Sequence, residues 1–122
     1  MQAVIVLAHG SRDPLWSLPV EELARQIAAQ DSSTSVLCAY LELRQPDLGS
    51  AAQQLVAAGA RTVRVLPLFF GIGKHAREDL PLRMAELGRA HPAVCFEQLP
   101  IAGEDPRLRL LLTQMALENG SS

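Results

Sequence analysis

The sequence predicts an α/β fold, a single three-layer α/β/α domain in which helices cover both faces of a central, mostly four-stranded parallel sheet. Two observations carry this prediction: short apolar runs alternate with segments of helical periodicity, and short polar connections join them. Hydrophobic residues form 48% of the 122-residue chain and aromatic residues only 4%, so one aliphatic core is expected. We expect the domain to span residues 1–118 and residues 119–122 to form a flexible tail.

The first half of the chain predicts two strand–helix units. Residues 2–8 form the first apolar strand, and residues 17–30 carry apolar positions at the i, i+3, i+4, i+7 spacing of a one-sided helix. A second strand is expected over residues 36–41. The next helix should begin at Pro46, a favoured first-turn residue, and end near Gly59.

The second half repeats the pattern. A strand over residues 62–68 leads into a loop that carries His75, and a helix is expected from about Pro81. A fourth strand should cover residues 94–99. Asp105 then caps a last helix with an apolar stripe of Leu108, Leu111, Leu112 and Met115. Cys38 and Cys95 fall inside predicted strands and are expected to be buried structural thiols.

Charge and the N-terminal residues narrow the class of partner. The formal net charge of −2 gives no general reason to expect nucleic acid or an anionic membrane, so an anionic ligand needs a local basic patch. Met1 runs directly into the first strand without a basic segment or a long apolar one. We therefore expect no signal peptide and no membrane span, and a cytoplasmic location.

Polar residues collect where the predicted strands end. The loops at these carboxyl ends carry His9, Ser11, Arg12 and Asp13 after the first strand, Glu42 and Arg44 after the second, and Lys74, His75, Arg77 and Asp79 after the third. The loops that enter the strands are ordinary polar turns. Because ligands bind at the carboxyl edge of open parallel sheets, this asymmetry predicts a functional site there.

The candidate side chains suit metal or proton chemistry. His9 and His75 emerging at one edge could bind a divalent transition metal or transfer protons, although His9 taken alone is better explained as a structural histidine. Glu42 is either a solvated carboxylate, a proton acceptor or a third ligand. The basic residues are either surface charges or a cradle for a polyanion, and they are Arg12, Arg44, Lys74 and Arg77.

Three ordered motifs resemble a known family. They are Ala8-His9-Gly10-Ser11-Arg12-Asp13-Pro14, then Leu41-Glu42-Leu43 leading to Pro46-Asp47, then Pro67-Leu68-Phe69-Phe70 through Gly73-Lys74-His75 to Asp79-Leu80-Pro81. Together they resemble the CbiX type of sirohydrochlorin metal chelatase, over essentially the whole chain. The resemblance implies a chelatase-like fold with flavodoxin-like topology, and insertion of Co²⁺, Fe²⁺ or Ni²⁺ into the polycarboxylate tetrapyrrole sirohydrochlorin, on routes to cobalamin or sirohaem.

The resemblance also implies roles. His9 and His75 would hold the metal and, with Glu42, help remove pyrrole protons. Substrate would contact Ser11, Arg12, Arg44, Gly73, Lys74 and Arg77. The metal would be a substrate, with no tightly bound cofactor. Longer family members carry two such α/β halves, so this single half resembles the short form and implies a homodimer.

Three other interpretations were open from the residues. A histidine phosphatase also has His-Gly after its first strand, but it is expected to carry arginine where Ala8 stands here. A flavin binder of the same fold would need a Ser/Thr-rich loop after the first strand, which residues 9–14 do not form. A non-catalytic carrier of metal or tetrapyrrole uses the same ligands as a chelatase and is the strongest alternative.

Overall fold

The protein, described for residues 1–118 by a computed structural model, contains four strands and four α-helices within that range. In chain order these are β1 (Gln2–Ala8), α1 (Leu18–Gln30), β2 (Thr34–Tyr40), α2 (Leu48–Ala57), β3 (Thr62–Pro67), α3 (Lys74–Ala90), β4 (Cys95–Gln98) and α4 (Pro106–Leu117). Short 3₁₀ turns at Pro14–Ser17 and Ala102–Glu104 precede α1 and α4. Within the described range no helix has the length and apolarity needed to cross a membrane. The predicted tail at 119–122 lies outside the described residues.

The strands form one parallel sheet in the order β2-β1-β3-β4. Within it, Val4 of β1 aligns with Val36 of β2 on one side and with Arg64 of β3 on the other. The chain moves outward from β1 to β2 and then crosses back to β3. The order therefore reverses between β1 and β3, which is the topological switch point of the sheet. The predicted α/β class is confirmed.

Helices cover both faces of the sheet, because successive strand residues point to opposite sides. On one face Ile5 and Val63, both fully buried, pack with Ala51 of α2 and Leu80 of α3. On the other face Val6, Tyr40 and their neighbours pack against α1. Burying each such aliphatic side chain contributes about 1.5–3 kcal/mol, so this aliphatic core stabilises the fold despite the scarcity of aromatics.

Helix α4 is the least covered element. It lies on the same sheet face as α1, across a groove lined by Leu66 of β3, by Leu68 just after β3, and by its own Leu108 and Leu111. The predicted stripe exists, but no residue of α4 is buried, and Leu111 and Met115 are 51% and 56% exposed. The stripe therefore does not pack into the core of the single chain.

Two predicted helix starts need correction. Helix α2 begins at Leu48, because the Asp47 carboxylate accepts the backbone N–H of Ser50 and caps it, so Pro46 lies before the helix. Helix α3 begins at Lys74, seven residues before Pro81, with Gly73 at its N-cap. Pro81 lies on the exposed side of the continuous helix, while Leu80 and Leu87 bury the opposite side. Tertiary packing thus overrides the boundary that proline usually marks.

The prediction that both cysteines are buried is not fully confirmed for either thiol. Cys38 on β2 is half-buried, and its pKa is raised chiefly by burial. Cys95 on β4 is exposed, which corrects the prediction that it is buried. Because β4 is a short strand at the sheet edge, its outward residues face solvent. Both thiols are free.

Candidate functional site

The fold brings the two predicted histidines to the switch point of the sheet. His9 directly follows β1, and His75 follows β3 after the segment 68–73. These two strands are neighbours in the sheet and run parallel. The carboxyl edge at a reversal of strand order is where open α/β sheets bind ligands, so both imidazoles occupy the expected place.

His9 is held by a carboxylate. Its Nδ1 lies 3.0 Å from Oε1 of Glu42, which follows β2, and both side chains are about half exposed. An ionised carboxylate only accepts hydrogen bonds, so the Nδ1 of His9 is the donor, and in the neutral imidazole its Nε2 carries the lone pair. Gly10 makes this approach possible, because a Cβ atom there would lie 1.7 Å from the carbonyl oxygen of Glu42.

Two aromatic residues complete the surroundings of His9. The ring of Phe69 lies 4.8 Å from the imidazole, centroid to centroid, at an angle of 58°. The indole Nε1–H of Trp16 donates to the backbone carbonyl of His9 at 3.1 Å. The ring and the backbone of His9 are thus each fixed by a separate contact, in addition to the carboxylate.

His75 lies in a different setting. It occupies the first turn of α3, and it borders a shallow surface pocket with Glu78, Asp79 and Leu82. Within residues 1–118 its ring makes no hydrogen bond or ion pair, and no three His, Cys, Asp or Glu side chains form a ready-made metal cage. The structure therefore joins His9 to Glu42 and leaves His75 separate from them.

The four predicted basic residues divide into two groups. Arg12 and Lys74 are exposed and make no ion pair within the described part of the chain. Arg44 instead pairs with Glu21 of α1 at 3.2 Å, and its guanidinium lies 5.5 Å from the ring centroid of Tyr40. Arg77 binds Glu104 in the turn before α4. This bond raises the pKa of Arg77 and lowers the pKa of Glu104, so both are charged at neutral pH.

The remaining candidates shape loops. The hydroxyl of Ser11 accepts the backbone N–H of Asp13 at 3.0 Å, which tightens the turn after His9. Gly73 precedes α3 without a capping side chain, and the space around it is open. The first amides of α3 are therefore left for solvent or for an anionic ligand, which the helix dipole favours.

Sequence reasoning missed the contacts that hold the site together. Trp16 is the only tryptophan of the chain, but its spacing from His9 matches no recognisable pattern. Gly103 and Glu104 come from the loop after β4, far along the sequence from the residues they touch. In the sequence, a glycine followed by acidic residues indicates only a polar loop and gives no sign of its partners.

These observations define a class: an α/β protein with an imidazole–carboxylate pair and a second imidazole at the switch point of a parallel sheet. The CbiX family profile matches residues 3–119, and the chain belongs to this family. The recognition made from the three motifs is confirmed.

Individual relatives agree with this assignment. A sirohydrochlorin cobaltochelatase of Methanococcus maripaludis is 32% identical over 81 residues, covering 66% of this chain and 56% of that relative. The crystal structure of a cobalamin (vitamin B12) biosynthesis CbiX protein from Marinobacter aquaeolei VT8 is similar with a TM-score of 0.81 and 30% identity, covering 95% of this chain and 94% of the other.

A third relative shares the fold at lower identity. The sirohydrochlorin chelatase SirB of Bacillus subtilis subspecies spizizenii, solved in complex with cobalt, gives a TM-score of 0.76 and 23% identity. That match covers 94% of this chain but only 50% of the SirB chain. The same α/β unit therefore also occurs as half of a longer chain.

Proposed function

We propose that this protein is a sirohydrochlorin chelatase, a lyase-class enzyme that inserts Co²⁺ or Fe²⁺, and also Ni²⁺, into the tetrapyrrole of cobalamin or sirohaem biosynthesis. The single observation that carries the proposal is the His9–Glu42 pair, 3.0 Å apart at the switch point of a CbiX-family fold. The M. maripaludis relative bears the name of this activity. The metal is a substrate here, and the proposal includes no tightly bound cofactor.

The His9–Glu42 pair supplies the proton acceptor. Metal insertion exchanges a divalent ion for two pyrrole N–H protons, so a base must lie near the ring. With Nδ1 donating to Glu42, the Nε2 of His9 can accept a proton, and the carboxylate stabilises the resulting imidazolium. Protons then leave to solvent, because both side chains are about half exposed.

His75 supplies the metal contact. An imidazole accepts Co²⁺, Fe²⁺ and Ni²⁺, and a ligand that must release the ion should not belong to a tight cage. The exposed ring of His75 meets both conditions, since it lies outside any three-ligand cluster among residues 1–118. His9 can share the ion through Nε2 before it takes up a proton, while Glu42 holds the opposite ring nitrogen, Nδ1.

The substrate carboxylates need cations that are available. We assign this role to Arg12 and Lys74, whose side chains are exposed and carry no ion pair within the described residues, together with their sequence neighbours Ser11 and Gly73. Arg44 and Arg77 contribute less directly, because each is already bound to a carboxylate of the protein. A polycarboxylate fits this rim by charge.

Visible absorption of sirohydrochlorin tests the proposal. The tetrapyrrole is kept anaerobic and mixed with Co²⁺, Fe²⁺ or Ni²⁺ and catalytic amounts of the protein. Acceleration over the uncatalysed reaction, with several turnovers for each protein molecule, is the expected result. Binding without acceleration would instead identify a carrier of metal or tetrapyrrole.

The proposal includes a homodimer, with α4 in its interface. The apolar groove of about 390 Å³ between α4 and β3 is open, and the outer α4 residues Leu110, Leu111 and Met115 are 51–60% exposed. Contiguous apolar surface of this kind marks an interface. A second copy is the fitting occupant, because the SirB match leaves half of that longer chain for a further unit.

Light scattering during size-exclusion chromatography tests the dimer. We expect a dimer for the native chain and a monomer for Leu111→Glu, which places a charge in the groove. Thr113→Glu adds the same charge at an exposed site on another side of α4 and should stay dimeric. A native protein that is monomeric and fully active at low concentration would contradict this part of the proposal.

Domain organisation and location follow the same line. We infer that residues 1–118 work as one domain, since all four described strands belong to one sheet. Free Cys38 and Cys95 are typical of a reducing compartment and support a cytoplasmic location. Fractionation of the producing cells, with a periplasmic marker as control, checks the location.

A further inference from the structure

The 3₁₀ turn Ala102–Glu104, after β4, packs against the backbone between the two histidines. The N–H of Gly103 donates to the carbonyl oxygen of Phe69 at 2.9 Å. A Cβ atom at Gly103 would lie 1.7 Å from the carbonyl oxygen of Phe70, so only glycine permits this approach. Phe69 is the residue whose ring faces His9. The turn is therefore hydrogen-bonded to the backbone of the residue whose ring contacts His9.

The next residue of the turn reaches the other histidine segment. Both carboxylate oxygens of Glu104 accept hydrogen bonds from Arg77: Oε1 lies 3.4 Å from Nη1, and Oε2 makes a closer contact with Nη2. Arg77 shares the first turn of α3 with His75, and its N–H donates to the carbonyl of Gly73 at 2.9 Å. A two-pronged bond of this kind fixes orientation as well as distance.

We propose that Glu104 is a positioning residue. Through Arg77 it fixes the first turn of α3, which carries His75, relative to Phe69 and hence relative to His9. This inference rests on the proposed metal insertion. Two adjacent residues of one loop thus span both halves of the site: Gly103 touches the His9 side, and Glu104 holds the His75 side through Arg77.

A purely stabilising role does not explain the pair. Arg77 and Glu104 are 54% and 44% exposed, and ion pairs at such sites add little to folding stability because water screens them. Arg64 and Glu97, on β3 and β4, form a matched pair that is 52% and 50% exposed but lies within the strands. Neutralising Glu97 therefore controls for the general loss of a surface ion pair.

The test compares Glu104→Gln, Glu104→Asp and Glu97→Gln in the full chain. For cobalt insertion we expect Glu104→Gln to lower kcat by about tenfold, less than the 10²-fold that a displacement of about 1 Å can cost, with KM for the tetrapyrrole unchanged. Glu104→Asp retains the charge and should recover most of kcat. Glu97→Gln should match the native enzyme in kcat, and all three variants should unfold at the same temperature to within a few degrees.

A second readout uses Co²⁺ alone. Paramagnetic broadening of the His75 imidazole signals should require several-fold more Co²⁺ in Glu104→Gln than in the native chain, with the His91 signals as internal reference. If the native chain inserts metal and Glu104→Gln does so equally fast, the positioning role is wrong while the proposed function stands. A lower KM with unchanged kcat would also overturn it, since Glu104 would then merely compete with substrate for Arg77.

The two readouts also cover the case in which the native chain inserts no metal. The proposed function then fails, and the Co²⁺ titration alone decides the positioning role. A weaker response of His75 in Glu104→Gln then supports it, and an identical response in both chains overturns it.

Discussion

The two histidines at the switch point are held in opposite ways. His9 has a carboxylate at its Nδ1, an aromatic ring against its face and an indole on its backbone carbonyl, and these partners are Glu42, Phe69 and Trp16. His75 stands exposed in the first turn of α3, and its ring makes no hydrogen bond within residues 1–118. The sheet supplies both positions, but the loops around them fix only one ring.

This difference matches two tasks of metal insertion. A proton acceptor works best when its orientation and tautomer are set in advance, because no reorganisation is then needed during the reaction. A ligand that delivers an ion must instead be able to change its orientation and release the ion. We therefore propose that His9 serves proton transfer and His75 metal handling, with the His75 turn held as a unit through Arg77 and Glu104.

The largest effect is expected at the exposed ring. Removing the imidazole in His75→Ala should lower insertion by at least about 100-fold, because the pocket beside it contains no other imidazole among the described residues. Alanine suits a helical turn, so circular dichroism and the unfolding temperature should match the native chain. His91→Ala, which changes the histidine at the C-terminal end of α3, should retain activity. Undiminished turnover of His75→Ala would remove His75 from the mechanism.

The next largest effect concerns the charge beside His9. In Glu42→Gln an amide oxygen can still accept from Nδ1, but the imidazolium loses its counter-charge, so kcat should fall by about 10–100-fold while KM changes little. Steady-state kinetics measures both constants. Glu22→Gln, which neutralises an exposed carboxylate paired with Arg25 on α1, is the control. Equal activity in the two variants would show that Glu42 only occupies space.

A smaller effect should follow from separating the loop after β1 from the loop after β2. Gly10→Ala forces the Glu42 backbone away, since the new Cβ would start 1.7 Å from its carbonyl oxygen. We expect a loss of about 1–3 kcal/mol in unfolding free energy and a clear loss of kcat. Gly71→Ala, in open space beyond β3, should lower neither the unfolding free energy nor kcat. Urea unfolding checks stability, and if Gly10→Ala behaves like Gly71→Ala, the close approach of the loops is not needed.

The smallest effect is expected at the indole. Trp16→Phe keeps an aromatic ring but removes the donor to the His9 carbonyl, and a neutral hydrogen bond of this kind contributes about 1 kcal/mol. The carbonyl lies in an exposed residue where water can replace the donor, so kcat should fall only about threefold. Leu15→Ala, beside it in the same 3₁₀ turn, is the control. A loss as large as that of Glu42→Gln would place Trp16 closer to the chemistry than we infer.

The sequence was sufficient for the architecture because apolar periodicity is a local signal. The alternation of strands and helices, the capping of α4 by Asp105 and the location of His9 after β1 all follow from neighbouring residues. The predicted start of α3 at Pro81 was wrong, since proline often occupies the first turn of a helix but here lies inside one. Leu80 and Leu87 on its buried side keep the helix continuous, and this is a tertiary effect.

The partners of the site were harder to predict than its members. Glu42 was a candidate in its own right, but its contact with His9 joins residues 33 positions apart and depends on the pairing of β1 with β2. In the same way Arg44 and Arg77 were candidates for a cradle that binds a polyanion, whereas each is paired with a carboxylate of the protein, Glu21 and Glu104 respectively. Sequence patterns indicate which residue types reach an edge, and packing decides which of them meet.

Imidazole ¹⁵N spectra of the three histidines test the comparison most directly, taken at pH 8, where an ordinary imidazole is uncharged. We predict that His9 carries its hydrogen on Nδ1, fixed by Glu42, and that His75 interconverts between tautomers as an unconstrained ring does. His9 protonated at Nε2, or the same mixture of tautomers at both rings, would contradict the assignment of separate roles.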